Sequence, residues 1–221
     1  ASVSKPLSST VVSALVGEGK VSWQSRLRDI DPGFALQDEL ASANVTVGDL
    51  FAHRSGLPGH VGDDIEELGF TQGEILHKLR LAKPAYSFRD GYSYSNFGLP
   101  EGAVAASRIA GVGWPEACEE KLYKPYYKAI AETADYAKEA GVGITLKPHG
   151  GLNATGPACR KALEQVDHDN VTLWYDPGNI FYYSDGKLDP TADAATVDGL
   201  VTGMCVKDYK HPKNVLVTPG D

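Results

Sequence analysis

The sequence predicts a mixed α/β chain in two parts, a helical part over residues 1–125 and an α/β part over residues 126–221. In the first part, apolar residues recur every three or four positions and strand-like alternation is absent, which predicts helices joined by loops. In the second part, helical and strand patterns alternate with short loops, which predicts right-handed βαβ units and a parallel sheet. No spacer separates the parts, and we place the boundary close to Lys124–Tyr127.

The first part begins with an amphipathic helix from about Ser4 to Val16, which Gly17 and Gly19 end. Three further helices are predicted, and they begin after Thr46, near Thr71 and at Pro100. The segments between them are rich in turn residues: VSWQSRLRDIDPGFALQDELASANVT, HRSGLPGHVGDD and FRDGYSYSNFG. We therefore expect this part to be mainly helical, without a complete five-stranded antiparallel sheet.

The second part alternates three helical patterns with three apolar strand patterns. The helices are predicted from YYKAIAETADYAKEAG, GPACRKALEQV and DAATVDGLV, and the strands from VGITLKPH, NVTLWYD and TGMCVKDY. The strand centres lie near residues 143–147, 171–175 and 203–207. We expect these strands to pair in the order in which they occur in the sequence.

Composition excludes several classes of partner. A net charge of -8, spread evenly over both parts, argues against a surface for nucleic acid or anionic membranes. No run of about 18 apolar residues occurs, so no membrane-spanning segment is predicted. Cys118, Cys159 and Cys205 are widely spaced without a CxxC pair, which disfavours a disulfide framework and a structural zinc site. Small-molecule substrates remain as the expected partners.

The first chemical motif is the S-x-x-K of Ser2–Lys5, at the start of the first predicted helix. Backbone N–H groups and the helix dipole favour negative charge there. A serine hydroxyl needs a base to become nucleophilic, and a lysine amine serves as that base only where its surroundings lower its pKa. A Tyr94-Ser95-Asn96 triplet follows in the turn GYSYSNFG, and VTVGDLFAHRSGLPGH lies between the two motifs. Taken singly, Ser2 reads as a helix cap and Tyr94 and Asn96 as turn residues.

Taken in order, these motifs resemble the penicillin-recognising serine hydrolases, which include class C β-lactamases, D-alanyl-D-alanine peptidases and related esterases. GEGKVSW and EEKLYKP extend the similarity through most of residues 1–125. The resemblance implies the helical part of an α+β fold, an acyl substrate and no cofactor. It assigns Ser2 as nucleophile, Lys5 as base or proton relay, and Tyr94 as the group that passes the proton to the leaving group. Asn96 would hold Lys5 and the substrate amide, and HRSGLPG would form a structural loop.

The same family places a third motif, Lys-Thr-Gly or His-Thr-Gly, on a strand beside the nucleophile, and neither triplet occurs in this sequence. The nearest triplets are Val201–Gly203 and Ala154–Gly156, both in the second part. Without that strand, we expect the oxyanion hole to keep only the Ser2 N–H, at a cost of about 100- to 1,000-fold in rate. The only methionine is Met204, and strands that would precede S-x-x-K are absent. We expect the chain to be a fragment of each fold.

The second part resembles the xylose-isomerase-like (β/α)8 barrels, which include sugar isomerases and epimerases. The segments that carry this resemblance are GVGITLKPHGG, NVTLWYDPGNIFYY, MCVKDYK and VTPGD. Active groups of such barrels lie at the C-terminal ends of strands, and the residues that follow the predicted strands are His149, Asp176, Lys207 and Asp208. The resemblance implies a divalent metal with Asp176 as a ligand. Lys147 and Cys205 stand where a glutamate and a histidine are usual, so a magnesium or manganese site is disfavoured.

Three of these residues also have structural interpretations. His149 is equally well explained as a loop histidine bonded to backbone groups. Asp208 is equally well explained as a helix cap or as an ion-pair partner of Lys207 or Lys210. Cys205 fits a buried thiol better than a metal ligand.

Three functional hypotheses follow. The first is a serine acyl hydrolase that forms an acyl-enzyme on Ser2, weakened by the missing strand. The second is a sugar or sugar-phosphate isomerase or epimerase. The third is a junction of two partial domains without activity. Because partial domains expose core surfaces, we also expect self-association.

Overall fold

A computed structural model describes residues 2–211 and residue 219. The chain forms two compact units, Ala1–Tyr123 and Lys124–Asp221. The boundary placed from the sequence lies two residues beyond this division. Of the VTPGD segment, only Pro219 belongs to the described residues.

The first unit is helical. Its α-helices are α1 (Ser4–Gly17), α2 (Leu27–Ile30), α3 (Glu39–Asn44), α4 (Val47–Phe51), α5 (Asp63–Glu67), α6 (Gln72–Lys78), α7 (Gly98–Ile109) and α8 (Trp114–Cys118). A 3-10 turn at Leu79–Leu81 follows α6, and a π-helical turn at Glu119–Tyr123 follows α8. The four predicted helices correspond to α1, α4, α6 and α7, and the core forms where their apolar faces meet.

The hydrophobic spacing of α1 gives the expected buried stripe, with Val11, Val12 and Leu15 almost fully buried. This stripe joins one core cluster with residues of α4, α6 and α7, including Leu50, Ile75 and Ala106. Among the described residues of this unit, the β-pairing amounts to one isolated antiparallel bridge, Arg26 with Thr46. The expectation of a mainly helical part is therefore confirmed for those residues.

Two segments interpreted as loops contain short helices. Asp38 caps α3 by accepting the Ala41 N–H at 2.9 Å, and Gly62 precedes α5 with a φ of +94°. Helices of four to six residues are too short to be stable alone, so their packing and caps decide their formation. A periodicity search over longer windows does not detect them.

Asp49 is a fully buried carboxylate that holds three segments of the first unit together. It closes a capping box with Thr46 at the start of α4, with the Thr46 N–H donating to Oδ2 at 3.0 Å. Arg54 Nε donates to Oδ1 at 2.7 Å, and Arg89 Nη2 donates to Oδ2 at 2.7 Å. Although burial raises its pKa, the hydrogen bonds from Arg89, Thr46 and Arg54 outweigh that effect and lower the pKa to about 2.

The second unit is a parallel βα arrangement. Its elements are α9 (Lys124–Glu139), β1 (Ile144–Leu146), α10 (Gly156–Val166), β2 (Val171–Tyr175), α11 (Pro177–Tyr183), α12 (Pro190–Ala195) and β3 (Val201–Met204). The strands pair in parallel in the order β1-β2-β3, with Ile144 opposite Val171 and Tyr175 opposite Met204. The predicted order is confirmed, although β3 begins two residues earlier than expected. Helix α11 was not predicted, and α12 begins and ends earlier than the predicted third helix.

One face of this sheet is exposed. Along β2, Val171, Leu173 and Tyr175 are buried, whereas Trp174 is 42% exposed to solvent. Met204 at the end of β3 is 56% exposed. Self-association through such apolar surface stays a prediction. We expect the sedimentation coefficient to rise with protein concentration, and a concentration-independent monomer would contradict this expectation.

Asp193 of α12 ties the second unit together from a buried position. Its two carboxylate oxygens accept the Gly156 N–H at the start of α10, at 2.9 and 3.0 Å, and Oδ2 also lies 2.9 Å from the Tyr175 hydroxyl. Burial, and then the hydrogen bond with Asp193, raise the pKa of Tyr175. One carboxylate therefore satisfies a helix terminus and a strand side chain at once.

Asp193→Ala is expected to destabilise the second unit by about 1–3 kcal/mol, because it leaves the buried Gly156 N–H without its acceptor, whereas the Tyr175 hydroxyl still donates to the Pro190 carbonyl. Tyr175→Phe removes that hydroxyl and is expected to cost about 1 kcal/mol. Hydrogen-exchange mass spectrometry of the whole chain measures the loss of stability separately for peptides of the second unit. Faster exchange in peptides of the second unit is expected, and unchanged exchange there would contradict the role of Asp193.

Candidate active site

Ser2 and Tyr94 come together in the first unit although 92 positions separate them. Ser2 lies two residues before the first residue of α1, and Tyr94 lies in the turn before α7. The Ser2 Oγ lies 2.7 Å from the Tyr94 hydroxyl oxygen, a short hydrogen bond. The side chain that the sequence marks as a nucleophile therefore contacts a group able to exchange its proton.

Lys5 and Asn96 form the second contact of this site. Lys5 lies in the first turn of α1, and its Nζ donates to Asn96 Oδ1 at 2.8 Å. The same ammonium lies 4.7 Å from the centre of the Tyr94 ring. Hydrogen bonds with Lys5 and then with Ser2 lower the pKa of Tyr94. All four residues selected from the sequence thus meet at one place.

Asp63 is a further member of the site that the sequence interpretation missed. Its Oδ2 accepts a hydrogen bond from Asn96 Nδ2 at 2.8 Å and lies 3.0 Å from His60 Nδ1. Since an amide donates only through its nitrogen, this bond turns Asn96 Oδ1 toward Lys5. In sequence, Asp63 is one of two acidic residues in a polar turn, and its three-residue spacing from His60 was the available signal.

Helix α5 begins at Asp63 because Gly62 permits a close approach there. A Cβ at Gly62 would lie 2.7 Å from Ile75 Cγ2 and 2.8 Å from Phe97 Cδ2, at a positive φ. Glycine fits where other residues clash. The packing of this glycine against Phe97 places Asp63 beside the adjacent Asn96.

His53 supports the loop that carries Tyr94. Its Nδ1 accepts the Ser95 N–H at 3.2 Å, and its ring lies 4.9 Å from the Tyr94 ring. Burial, and then the nearby Lys5, lower the pKa of His53. A neutral imidazole in this position agrees with the structural role expected for the HRSGLPG loop.

A cleft of about 580 Å³ opens beside Ser2, Lys5 and Asn96. Its wall combines polar groups with an apolar surface, and the residues that contribute include Glu66, Gln72, Leu99, Ala103 and Trp114. A volume of this size suits a small organic ligand. The cleft adjoins the hydroxyl that would react.

The second unit brings together a buried carboxylate and two lysine side chains. Asp176 follows β2 directly and is fully buried. Lys147 Nζ, beyond β1, lies 2.9 Å from Asp176 Oδ2, and Lys207 Nζ, beyond β3, lies 3.5 Å from the same oxygen. Burial raises the pKa of Asp176, but the hydrogen bond from Lys147 and the charge of Lys207 lower it overall. Asp176 also raises the pKa of Lys147.

The other residues predicted for this second site lie at the same edge of the sheet, because all three strands run parallel. His149 lies 3.0 Å, through Nδ1, from the Tyr183 hydroxyl rather than bonding to Asp176. Asp208 accepts the backbone N–H of Tyr209 through Oδ1 at 2.7 Å. Lys207 is the residue of this predicted set that meets Asp176.

Two family models match overlapping parts of the chain. A β-lactamase family model matches residues 1–158, and a xylose isomerase-like TIM barrel model matches residues 99–220. The chain belongs to both families. The two matches overlap over residues 99–158, a range that includes the division between the units.

Two curated proteins are similar to parts of this chain. The unguisins hydrolase ungD' of Aspergillus campestris is 25% identical over 155 residues, which cover 64% of this chain and 29% of that protein. Penicillin-binding protein 4 of Amycolatopsis lactamdurans is 40% identical over 58 residues, which cover 26% of this chain and 15% of that protein. The chain thus spans less than a third of each of these relatives.

Among solved structures, a D-stereospecific amidohydrolase from Streptomyces sp. has a TM-score of 0.50 at 20% identity, covering 57% of this chain and 41% of that one. This similarity shows a shared fold over that share of the chain. Within the part of the chain that the structure describes, no helix combines the length and apolar character needed to cross a bilayer.

The metal implied by the xylose isomerase-like family does not fit the residues around Asp176. Two ammonium groups face this carboxylate, and ammonium nitrogen has no lone pair to give to a metal. Their positive charges would also repel a divalent cation. Over residues 2–211 and 219, no group of three or more His, Cys, Asp or Glu side chains is arranged to hold a metal ion.

Proposed function

We propose that the first unit is a serine acyl hydrolase of the β-lactamase, D-alanyl-D-alanine peptidase and esterase type, which acts through an acyl-enzyme on Ser2. The observation that carries this proposal is the 2.7 Å contact of the Ser2 hydroxyl with Tyr94, whose pKa is lowered beside Lys5. Membership of the β-lactamase family supports the same reaction class.

In the first step, Ser2 Oγ attacks the carbonyl carbon of an ester, amide or lactam. The hydroxyl proton passes to the Tyr94–Lys5 pair as the new C–O bond forms, and the resulting oxyanion lies near the Ser2 N–H at the start of α1. When the bond to the leaving group breaks, Tyr94 returns the proton to the departing oxygen or nitrogen. The product is an ester of Ser2.

In the second step, a water molecule attacks this ester and releases the acid, and the serine hydroxyl recovers its proton. Because Tyr94 has given its proton to the leaving group, it is able to take a proton from that water. The Asn96 amide holds Lys5 in place through the hydrogen bond at 2.8 Å. The neighbouring cleft, lined by both polar and apolar residues, suits a small acyl substrate.

Covalent labelling tests the proposal directly. The whole chain is incubated with benzylpenicillin or with an activated ester, and its intact mass is measured over time. We expect a mass increase equal to the acyl group, located by peptide mapping to Ser2. Ser13→Ala, which removes an exposed serine from the same helix, is the matched control and should label normally. An adduct at another residue, or none with either probe, would refute the proposal.

Asp63 is expected to act as a positioning residue for this reaction. Asp63→Ala removes the acceptor that orients Asn96, so Lys5 loses a fixed partner and acylation should slow about tenfold or more. Asp63→Asn keeps an oxygen that accepts from Asn96 Nδ2 and should recover part of the rate. If the two variants are equally slow, with normal thermal stability, orientation of the Asn96 amide is not the role of Asp63.

A further inference from the structure

The lysine pair of the second unit, Lys147 and Lys207, lies where the strands of a parallel sheet end. Lys147 lies beyond β1, Asp176 follows β2, and Lys207 lies beyond β3. Both ammonium nitrogens approach the same buried oxygen, Asp176 Oδ2, at 2.9 and 3.5 Å. In parallel sheets this edge is where ligands bind.

Neighbouring residues hold this arrangement in place. Asp176 caps α11 through Oδ1, which accepts the Asn179 N–H at 2.9 Å. The Asn179 side chain donates to the Pro148 carbonyl at 2.7 Å, so its own oxygen faces Lys207 Nζ at 2.6 Å. Both Asp176 and Asn179 are buried. The two lysines are thus anchored by groups with little freedom to move.

The charges in this cluster do not balance. Two ammonium groups face one carboxylate, which leaves one positive charge. The two ammonium groups also carry six N–H donors. The acceptors that the described residues supply are Asp176 Oδ2, Asn179 Oδ1 and the Cys205 sulfur beside Lys147. The side chains of Lys147 and Lys207 are 42% and 27% exposed, so both are accessible from solvent.

We propose that this lysine pair binds an oxyanion group, phosphate or carboxylate, of a small substrate at the position where related barrels bind a metal. A lysine ammonium is a point charge suited to phosphate and carboxylate oxygens. The fixed Asp176 keeps the two ammonium groups close together despite their repulsion. The site therefore recognises the charged end of its ligand without a cation between them.

An NMR titration of the whole 15N-labelled chain tests this proposal at constant ionic strength. The probes are inorganic phosphate, gluconate and magnesium chloride, with sodium chloride as the reference. We expect saturable shifts of amide signals near residues 147, 176 and 207 with phosphate or gluconate and none with magnesium. The stronger of the two anions identifies the chemical source of the oxyanion group.

Two variants complete the test. Lys207→Met should weaken anion binding at least tenfold, because a charge-assisted contact is lost. Lys161→Met removes an exposed lysine of α10 from the same unit and should leave binding unchanged. Equal loss in both variants would reduce the effect to general surface charge and overturn the proposal. Saturable magnesium binding, or no saturable shift with either anion, would overturn it as well.

Discussion

Ser2→Ala is expected to abolish acylation of the chain by benzylpenicillin and by activated esters. The substitution removes the oxygen that attacks the substrate carbonyl in the first step of the proposed mechanism. Circular dichroism should stay unchanged, because the Ser2 side chain is exposed and contacts Tyr94 alone among the contacts described above. Labelling of the Ala variant at the rate of the parent chain would remove Ser2 from the mechanism.

Tyr94→Phe is expected to slow the acylation of Ser2 without abolishing it. Loss of the hydroxyl removes the proton acceptor at 2.7 Å from Ser2, and acylation should slow by about 100- to 10,000-fold. The ring and its contact with His53 remain, so stability should change little. Rates are followed by stopped-flow or quenched mass spectrometry. An unchanged rate would mean that Lys5 takes the proton without Tyr94.

Asp49→Ala is expected to destabilise the first unit by about 2–3 kcal/mol. It removes the buried carboxylate that accepts from the half-exposed Arg54 and Arg89, and it opens the capping box of α4. Urea unfolding followed by tryptophan fluorescence measures the loss. Asp38→Ala, which removes a single helix cap, is the control and should cost about 1 kcal/mol. Equal effects of the two variants would contradict the importance of the arginine contacts.

The same carboxylate predicts how stability depends on pH. The pKa of Asp49 falls from an ordinary value of 3.8 to about 2 in the folded unit. The unfolded chain therefore takes up the proton first, and the stabilisation is present above about pH 4 and lost as the pH falls through 2. Asp49→Asn should flatten the pH dependence in this range, and an unchanged acid profile would contradict the assignment.

The sequence predicted the long helices and the three strands, and it missed several of the short helices. Helices α1 and α10 are predictable from their apolar spacing and from the residues at their ends. Gly17 ends α1, and Thr155 caps the start of α10. Helix α11 is missing from the prediction because Asp176 is interpreted as the last residue of the strand pattern NVTLWYD and not as the first residue of a helix cap. The signal for α11 was nevertheless present, since Asp176 followed by Pro177 is a typical helix start, and Asp176 does accept the Asn179 N–H.

The residues of the candidate sites were also predictable only in part from the sequence. Ser2, Lys5, Tyr94 and Asn96 could be selected because their spacing matches a known motif set, and the fold brings them together. The spacing of Asp63 from His60 alone does not reveal its contact with Asn96, because that contact depends on the approach of Gly62 to Phe97. The ion pairs of Asp176 with two lysines likewise depend on the register of three strands.

The 92-residue separation of Ser2 from Tyr94 makes the acylation reaction a reporter of cooperative folding. Closing a loop of that length costs about 4 kcal/mol of chain entropy, so the contact exists only while the first unit is assembled. In increasing urea, the labelling rate should therefore follow the folded population, whereas a partly unfolded chain with α1 intact would not react. The rate of labelling by penicillin would then measure the fraction of molecules in which the first unit is folded.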